Sequence, residues 1–566
     1  MERRRVPKGP MASSALFVGG LLIGAPASAQ FFVPEASSRG AGSYPSVRAA
    51  AVDPAEPTST APQVRLGPLG VPVGLPAGEP SVETRRFAFN PSVAVDLLAT
   101  DNVFQTSRDR KADLITTIAP SIIMNVDTPR LTGLVNYAPR FLFYSRYGSE
   151  NRIDQLFNGQ MVATIIPDHF FVDLRGASGV QSLIGGQTAG TSTAANRGNQ
   201  VQTTSFILSP YYVHRFGTLA TARFGYSLQY SNQSLSDSNS VRNSSQQAAR
   251  AGFADSEFTA HQVYGVVRTG PDFGRVALEG AVESTNYVGN GVLDGAYRRS
   301  ATLEGRYAIR RDLFVLAEGG YEQQRYAGTP GFRVDGPIYS VGARLDLSDQ
   351  SFIIARYGRR DGFDSPSLEA SIALGGRTRL VARYDDRISV QSRRATDLLT
   401  TTTLDELGNP IDLATGLPAL TTANSSFFGV QSSLFRVRSA LASVVQTWER
   451  NTFSLNFVYE ERSVVSVAPG TTPSGSNGFT TSFSWGRSLS ERTTAVAFLQ
   501  YGRISGSNFS NGDSVTASLS FQHQLQPRLL ATLQLASSNR TTGDGSGSGS
   551  GRVLQNIVLV GLRQSF

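Results

Sequence analysis

From Phe87 to Phe566, apolar and polar side chains change places with a period of two. That is the repeat of a β-strand, whose successive side chains point to opposite faces. Phe87, Phe89, Val93, Val95 and Leu97 share one face, and Asn90, Ser92, Ala94 and Asp96 the other. Ala220, Ala222, Phe224, Tyr226, Leu228 and Tyr230 oppose Thr221, Arg223, Ser227 and Gln229. Leu303 and Tyr307 oppose Glu304 and Arg306, and Leu380, Ala382 and Tyr384 oppose Arg379, Arg383 and Asp385. Phe453, Leu455, Phe457 and Tyr459 oppose Ser454, Asn456 and Glu460, and Val515, Ala517, Leu519 and Phe521 oppose Ser514, Thr516, Ser518 and Gln522. A soluble sandwich gives the same alternation, with one face in its core and one in water.

The connections separate the two cases. Compact turns fall at Asp127–Arg130, Pro167-Asp168, Phe216–Thr218, Gly270–Asp272, Arg310–Asp312, Ser348–Gln350, Gly375–Arg377, Arg450-Asn451, Ser490-Glu491 and Gln526–Arg528. Between them lie longer polar connections at Gly185–Gln200, Asn232–Phe253, Arg393–Asn424, Ala468–Gly478 and Asn539–Gly551. Short and long links alternate, which is the habit of barrels with short periplasmic turns and long outer loops. The pattern predicts an all-β fold: a transmembrane, antiparallel, up-and-down β-barrel of about 22 strands, within a range of about 18–24. An even count sets both ends on the periplasmic side, and closure removes the unpaired edges of so long a sheet. The three longest connections are expected to face the cell exterior. Phe170, Phe171, Tyr211, Tyr212, Tyr357, Trp448, Trp485 and Tyr501 sit near strand ends, where aromatic girdles would place them.

Two segments precede the barrel at 86–566. Residues 1–29 read as a signal peptide: Arg3, Arg4, Arg5 and Lys8 are positive, Ala15–Ala25 is apolar, and Ala27-Ser28-Ala29 is a small-residue cleavage site. Residues 30–85 carry Pro34, Pro45, Pro54, Pro57, Pro62, Pro68, Pro72, Pro76 and Pro80. Such a composition predicts a disordered periplasmic tether, or a docking segment for a periplasmic partner. It is too short and too rich in proline for a folded plug.

The last strand ends on an aromatic residue. Val558, Val560 and Leu562 share its apolar register with the terminal Phe566. This resembles the closing strand of bacterial outer-membrane barrels, and the resemblance implies that these four residues are read by the barrel-insertion machinery. Gln564 departs from that pattern, which usually carries an apolar or aromatic residue there. At the other end, Asp101-Asn102-Val103-Phe104 is followed by Asp113–Pro120, an Arg130-Leu131 turn, Tyr137, Tyr144 and Asn151. These motifs, within about residues 87–175, resemble the β-barrel porin-2 families of Gram-negative bacteria. They are also similar to outer-membrane proteins associated with exosortase (PEP-CTERM) and exopolysaccharide gene clusters. The resemblance implies an outer-membrane barrel linked to polysaccharide export or surface assembly, and no catalytic residues.

No constellation points to chemistry. The chain has no Cys, hence no disulfide and no thiolate. Its histidines, His169, His214, His261 and His523, show no metal-ligand spacing, and there is no G-x-S-x-G or phosphate-binding loop. We therefore expect no enzyme, no cofactor and no metal. The formal charge of +8 falls to +5 once Glu2, Arg3, Arg4, Arg5 and Lys8 leave with the leader, and the remaining Arg are scattered. Nucleic-acid binders concentrate such charge, so no nucleic acid is expected.

The polar face is more informative. Arg223, Glu279, Glu283, Glu304, Arg306, Arg379, Arg383, Asp385, Arg387 and Glu460 are expected to line the lumen. There they either tune ion selectivity or simply pair across strands. The expected partners are outer-membrane lipid, the insertion machinery, and a polysaccharide or small hydrophilic solute. Two functions follow: a porin-like channel or export duct, or a structural or assembly factor using the barrel as an anchor. The absence of a separate plug domain favours passage, although Arg393–Asn424 is long enough to fold inward and narrow the pore.

Overall fold

A computed structural model describes residues 63–76, 86–183, 185–186, 200–235, 252–348, 351–404, 410–412, 426–506, 512–542 and 551–566. The proposed leader at 1–29 lies outside the described residues. From Phe87 onward the chain winds into one closed antiparallel barrel of 22 strands. Three of them are interrupted, at Leu131–Tyr137 with Arg140–Tyr144, Arg152–Asp154 with Phe157–Ile166, and Phe363–Asp364 with Ser367–Leu374. The last strand, Gly551–Ser565, closes on the first, Phe87–Thr100, with Ile557 opposite Thr100 and Ser565 opposite Ser92. The Phe566 amide donates to the Pro91 carbonyl at 3.0 Å and finishes the seam.

Every compact turn read from the sequence falls at the mouth that holds Phe87 and Phe566, and the long connections leave the far mouth. The sequence boundaries fall short by a few residues at several long connections. Ala220–Leu235 and Leu529–Thr542 run past the expected loop starts, and Ser476–Ser490 begins before the expected loop end. The turns are tight enough to select residues. At Gly270 any Cβ would collide with the Thr218 carbonyl of the neighbouring turn.

The two faces of the wall differ as the alternation requires. Val263, Val282, Leu303, Val341, Tyr357, Leu499 and Val560 stand outward and are half exposed or more. Leu98, Gln262, Thr285, Glu322, Ser443, Thr494 and Gln534 point inward and are buried. Most strands have 12–17 residues, more than the about 9–11 a tilted strand needs to cross a bilayer. Outward tyrosines nearer the far mouth turn their hydroxyls to acidic groups: Tyr230 to Glu257 at 3.0 Å, Tyr321 to Asp335 at 2.6 Å and Tyr501 to Asp513 at 3.1 Å. An amphipathic ring with one apolar body and one wet tip suits the edge of an apolar band. Two of the residues read as girdle aromatics do not belong to it. Phe171 and Tyr211 are buried in the lumen and stack at 5.2 Å, because they sit in the inward register of their strands.

The interior holds more than wall side chains. Gln63–Leu66 and Pro72–Leu75 pair as a hairpin, Leu66 opposite Pro72 and Gln63 opposite Leu75. This corrects the tether reading for residues 63–76. The hairpin is folded and lies in the lumen, packed against Ser476–Ser490, Thr493–Gly506 and Gly512–Gln526. Its prolines sit at the tight connection and the strand start, where no ladder donor is needed. Leu69, Val71 and Val73 are almost fully buried, and the first two join Leu98, Ile115, Phe498 and Ile557 in an apolar cluster. The Thr494 hydroxyl donates to the Gly74 carbonyl, and Arg140 donates to the Pro68 carbonyl at 3.2 Å.

A lumenal helix latched by arginines

Among the described residues the one α-helix is α1, Gln391–Thr401, at the start of the longest connection. The expectation that all of Arg393–Asn424 faces outward is therefore corrected for its first part. α1 folds inward and crosses the lumen to the strands Phe170–Ser182, Gln200–Phe216 and Ala220–Leu235. Ser392, Arg393, Thr396 and Leu399 are its buried positions, a helical spacing made mostly of polar residues because the surface they meet is polar.

Three contacts hold it. The Arg394 guanidinium donates two hydrogen bonds to Glu460, at 3.0 and 2.8 Å, while Arg462 holds the same carboxylate from two residues along the strand. Arg393 donates to the Tyr326 hydroxyl at 3.1 Å. At the other end Arg175, paired with Asp173 at 3.0 Å, donates to the Leu399 carbonyl at 2.8 Å. A cation on the last carbonyls meets both their unsatisfied acceptors and the negative end of the helix dipole. Glu460, Arg462, Arg175 and Asp173 are all buried. Breaking such a pair by removing one partner costs about 3–5 kcal/mol.

All ten expected wall residues lie on the inward face, though not as one ring. Arg383 and Arg387 flank Asp385 at 3.8 and 3.2 Å, and Glu460 meets α1. Glu304 pairs with Arg356 at 3.3 Å, and Glu279 with Arg268. Glu283 accepts from Thr285 at 3.3 Å, and Arg379 donates to Ser371 at 3.2 Å. Arg223 lies 4.2 Å over the Tyr211 ring and Arg306 5.3 Å over Phe314. The sequence reading missed Arg393, Arg394, Arg462, Arg175 and Tyr326. Only Arg393-Arg394, adjacent cations in a long polar connection, left a trace in the sequence.

Nearer the far mouth, apolar side chains pack together inside the barrel. Phe258, Val292, Leu293, Val390, Leu434 and Ala468 are essentially excluded from solvent and form one cluster with Tyr287 and Tyr326. Phe427 and Phe428, from the end of the same connection as α1, pack edge to face at 5.3 Å and cover Ile504 and Val458. The described residues hold no group of three or more His, Asp or Glu placed to bind a metal ion.

No protein-family model matches the chain, and no curated protein does. Among solved structures it is similar to the siderophore receptor PirA from Pseudomonas aeruginosa, at 12% identity and a TM-score of 0.43, over 84% of this chain and 80% of that one. It is also similar to the ferripyoverdine receptor of the outer membrane of Pseudomonas aeruginosa, at 10% identity and 0.44, over 84% and 72%. The FrpB iron transporter from Neisseria meningitidis gives 8% identity and 0.45, over 88% and 83%.

Proposed function

We propose that this chain is an outer-membrane β-barrel transporter for a hydrophilic solute, held closed by a lumenal helix. The membrane placement is supported by the wall itself. Its sheet closes on itself, so it has no free edge strand, and its outward face is apolar between two mouths that share an even number of strands. A barrel this wide cannot be filled by its wall side chains and is either a channel or plugged. The observation that carries the transport reading is the Arg394–Glu460–Arg462 latch. It fixes α1 through charge pairs inside a polar lumen, a contact that polar or ionic competition can release.

The lining mixes guanidinium and carboxylate groups, which suits a charged or hydroxyl-rich solute. Export of an exopolysaccharide falls within that class and is supported by the motif resemblance around Asp101–Phe104. Val558, Val560, Leu562 and Phe566 stand in the register proposed for recognition by the insertion machinery.

Planar-bilayer recording of the purified protein tests the reading. Wild type should be mostly silent, and Glu460→Gln should open in frequent steps, because it leaves two guanidiniums facing a neutral amide. If Glu460→Gln conducts no more than wild type, the latch reading fails. If a variant lacking α1 is silent as well, the barrel is an anchor for an assembly factor.

A further inference from the structure

At the far mouth the outward face carries an unbalanced positive charge. Three neighbouring strands, Tyr297–Ala308, Leu313–Tyr326 and Phe332–Ser348, present it in two rows. The register sets Tyr297, Arg325 and Arg333 side by side in the upper row, and Arg299, Gln323 and Asp335 in the row beneath. Arg299, Arg325, Arg333 and Asp335 are all exposed. They keep the outward register of Leu303 and Tyr321, 57% and 50% exposed, further down the same strands.

Arg325 and Arg333 stand directly opposite each other across the ladder, and like charges so placed repel. The one carboxylate in the two rows does not offset them. Asp335 is shared by Arg333 at 3.3 Å, the Gln323 amide at 3.3 Å and the Tyr321 hydroxyl at 2.6 Å. Arg299 lies over the Tyr297 ring at 5.1 Å, and among the described residues neither it nor Arg325 has a carboxylate partner. The next strand adds no acid, since Ser284 and Asn286 stand opposite Arg299 and Tyr297. Arg438 and Arg503, outward on other strands near the same mouth, each meet a carboxylate, Glu461 at 3.2 Å and Asp513 at 3.8 Å.

The height of the two rows selects the ligand. Tyr321 marks the edge of the apolar band, and the rows lie two and four residues beyond it, about 7 and 13 Å along a strand. With a strand tilt of about 45°, that is the polar head region of a bilayer. Below the rows the outward positions are Val282, Ala301, Leu303 and Gly319, an apolar surface. A phosphate set between the two opposed guanidiniums removes their repulsion, and its oxygens match the guanidinium fork. Chains attached to that phosphate lie on the apolar surface beneath, which a free anion leaves unused.

We propose that Arg299, Arg325 and Arg333 bind the phosphate of a lipid head in the outer leaflet, with its acyl chains running down the wall past Ala301 and Leu303. The proposal rests on the membrane placement of the barrel, with its long connections outside, and not on transport.

Bisphosphorylated lipid A carrying a fluorophore is the probe, titrated into the detergent-purified protein and read by anisotropy. Arg325→Gln with Arg333→Gln should weaken its binding about tenfold or more, while the barrel keeps its heat-modifiable mobility. Arg325→Gln alone, which only relieves the opposed pair, serves if the double variant does not fold. Arg503→Gln, at the same edge elsewhere on the wall, should stay within about threefold of wild type. Inorganic phosphate at the concentration of the probe should not displace it. Equal affinity in wild type and the double variant overturns the site, and so does an equal loss in Arg503→Gln, which assigns binding to general surface charge. Displacement by inorganic phosphate overturns the lipid as the ligand. A protein that stays soluble and folded without detergent overturns instead the membrane placement on which the proposal rests.

Discussion

Phe566 is 63% exposed on the outward face, in line with Leu562, Val560 and Val558 above it. Its amide bonds to Pro91, so the backbone at the seam does not depend on the ring. A charge at this position, near the edge of the apolar band, costs a folded barrel only about 0–1 kcal/mol. Phe566→Asp should therefore refold in detergent almost as wild type does. In cells it should reach the outer membrane poorly, if this register is the one the insertion machinery reads. Fractionation of cells and refolding yield in detergent measure the two separately. Normal delivery of the variant would remove the insertion role, and failure in both would place the defect in packing. Outward residues such as Phe566 were legible because lipid and core impose the same period of two. The inward charges were legible as a face, but not as pairs. That Glu460 would meet Arg394, 66 positions earlier, depends on how the lumen is filled.

At the scale of elements, strands and turns followed from local rules, while α1 and the hairpin at 63–76 did not. A helix packed on an apolar core shows an apolar stripe. α1 packs in a polar lumen, so its buried Ser392, Arg393 and Thr396 leave no such stripe. The hairpin was hidden by its prolines, which suggest an extended chain, although Val71 and Val73 keep a short strand alternation between them. The polar setting of α1 also predicts a pH response. Burial raises the Asp397 carboxyl above its ordinary 3.8, with Arg393, Arg387, Arg298 and Arg394 opposing the rise. A raised carboxyl prefers its proton in the docked state. Its contribution to docking is thus full below 3.8 and is lost as pH rises through the raised value. A spin label at Thr400→Cys, in a chain with no other Cys, should be less mobile at pH 4 than at pH 8. Asp397→Asn should flatten that difference. An unchanged pH response in Asp397→Asn would assign the effect to another group.

For the whole molecule, the even strand number, the shared mouth of Phe87 and Phe566 and the one-sided short turns fix a single polarity. Ser182 and Gln200 end their strands at the far mouth, as do Leu235 and Ser256, so the chain between each pair starts and returns there. α1 starts at the same mouth but turns into the lumen, where Arg393, Thr396 and Leu399 are buried. The sequence treated these three connections alike, since all are long and polar; the structure separates the third by its latch. Epitope tags inserted near residues 192 and 244 should therefore be reached by antibody on intact cells. A tag replacing the exposed turn at Pro527-Arg528 should be reached only after the outer membrane is opened. A tag within α1 should stay hidden in wild type and become reachable in Glu460→Gln, because release of the latch frees the helix toward the mouth it came from. Labelling of the 527–528 tag on intact cells would reverse the barrel in the membrane and with it every assignment of an outer and an inner mouth.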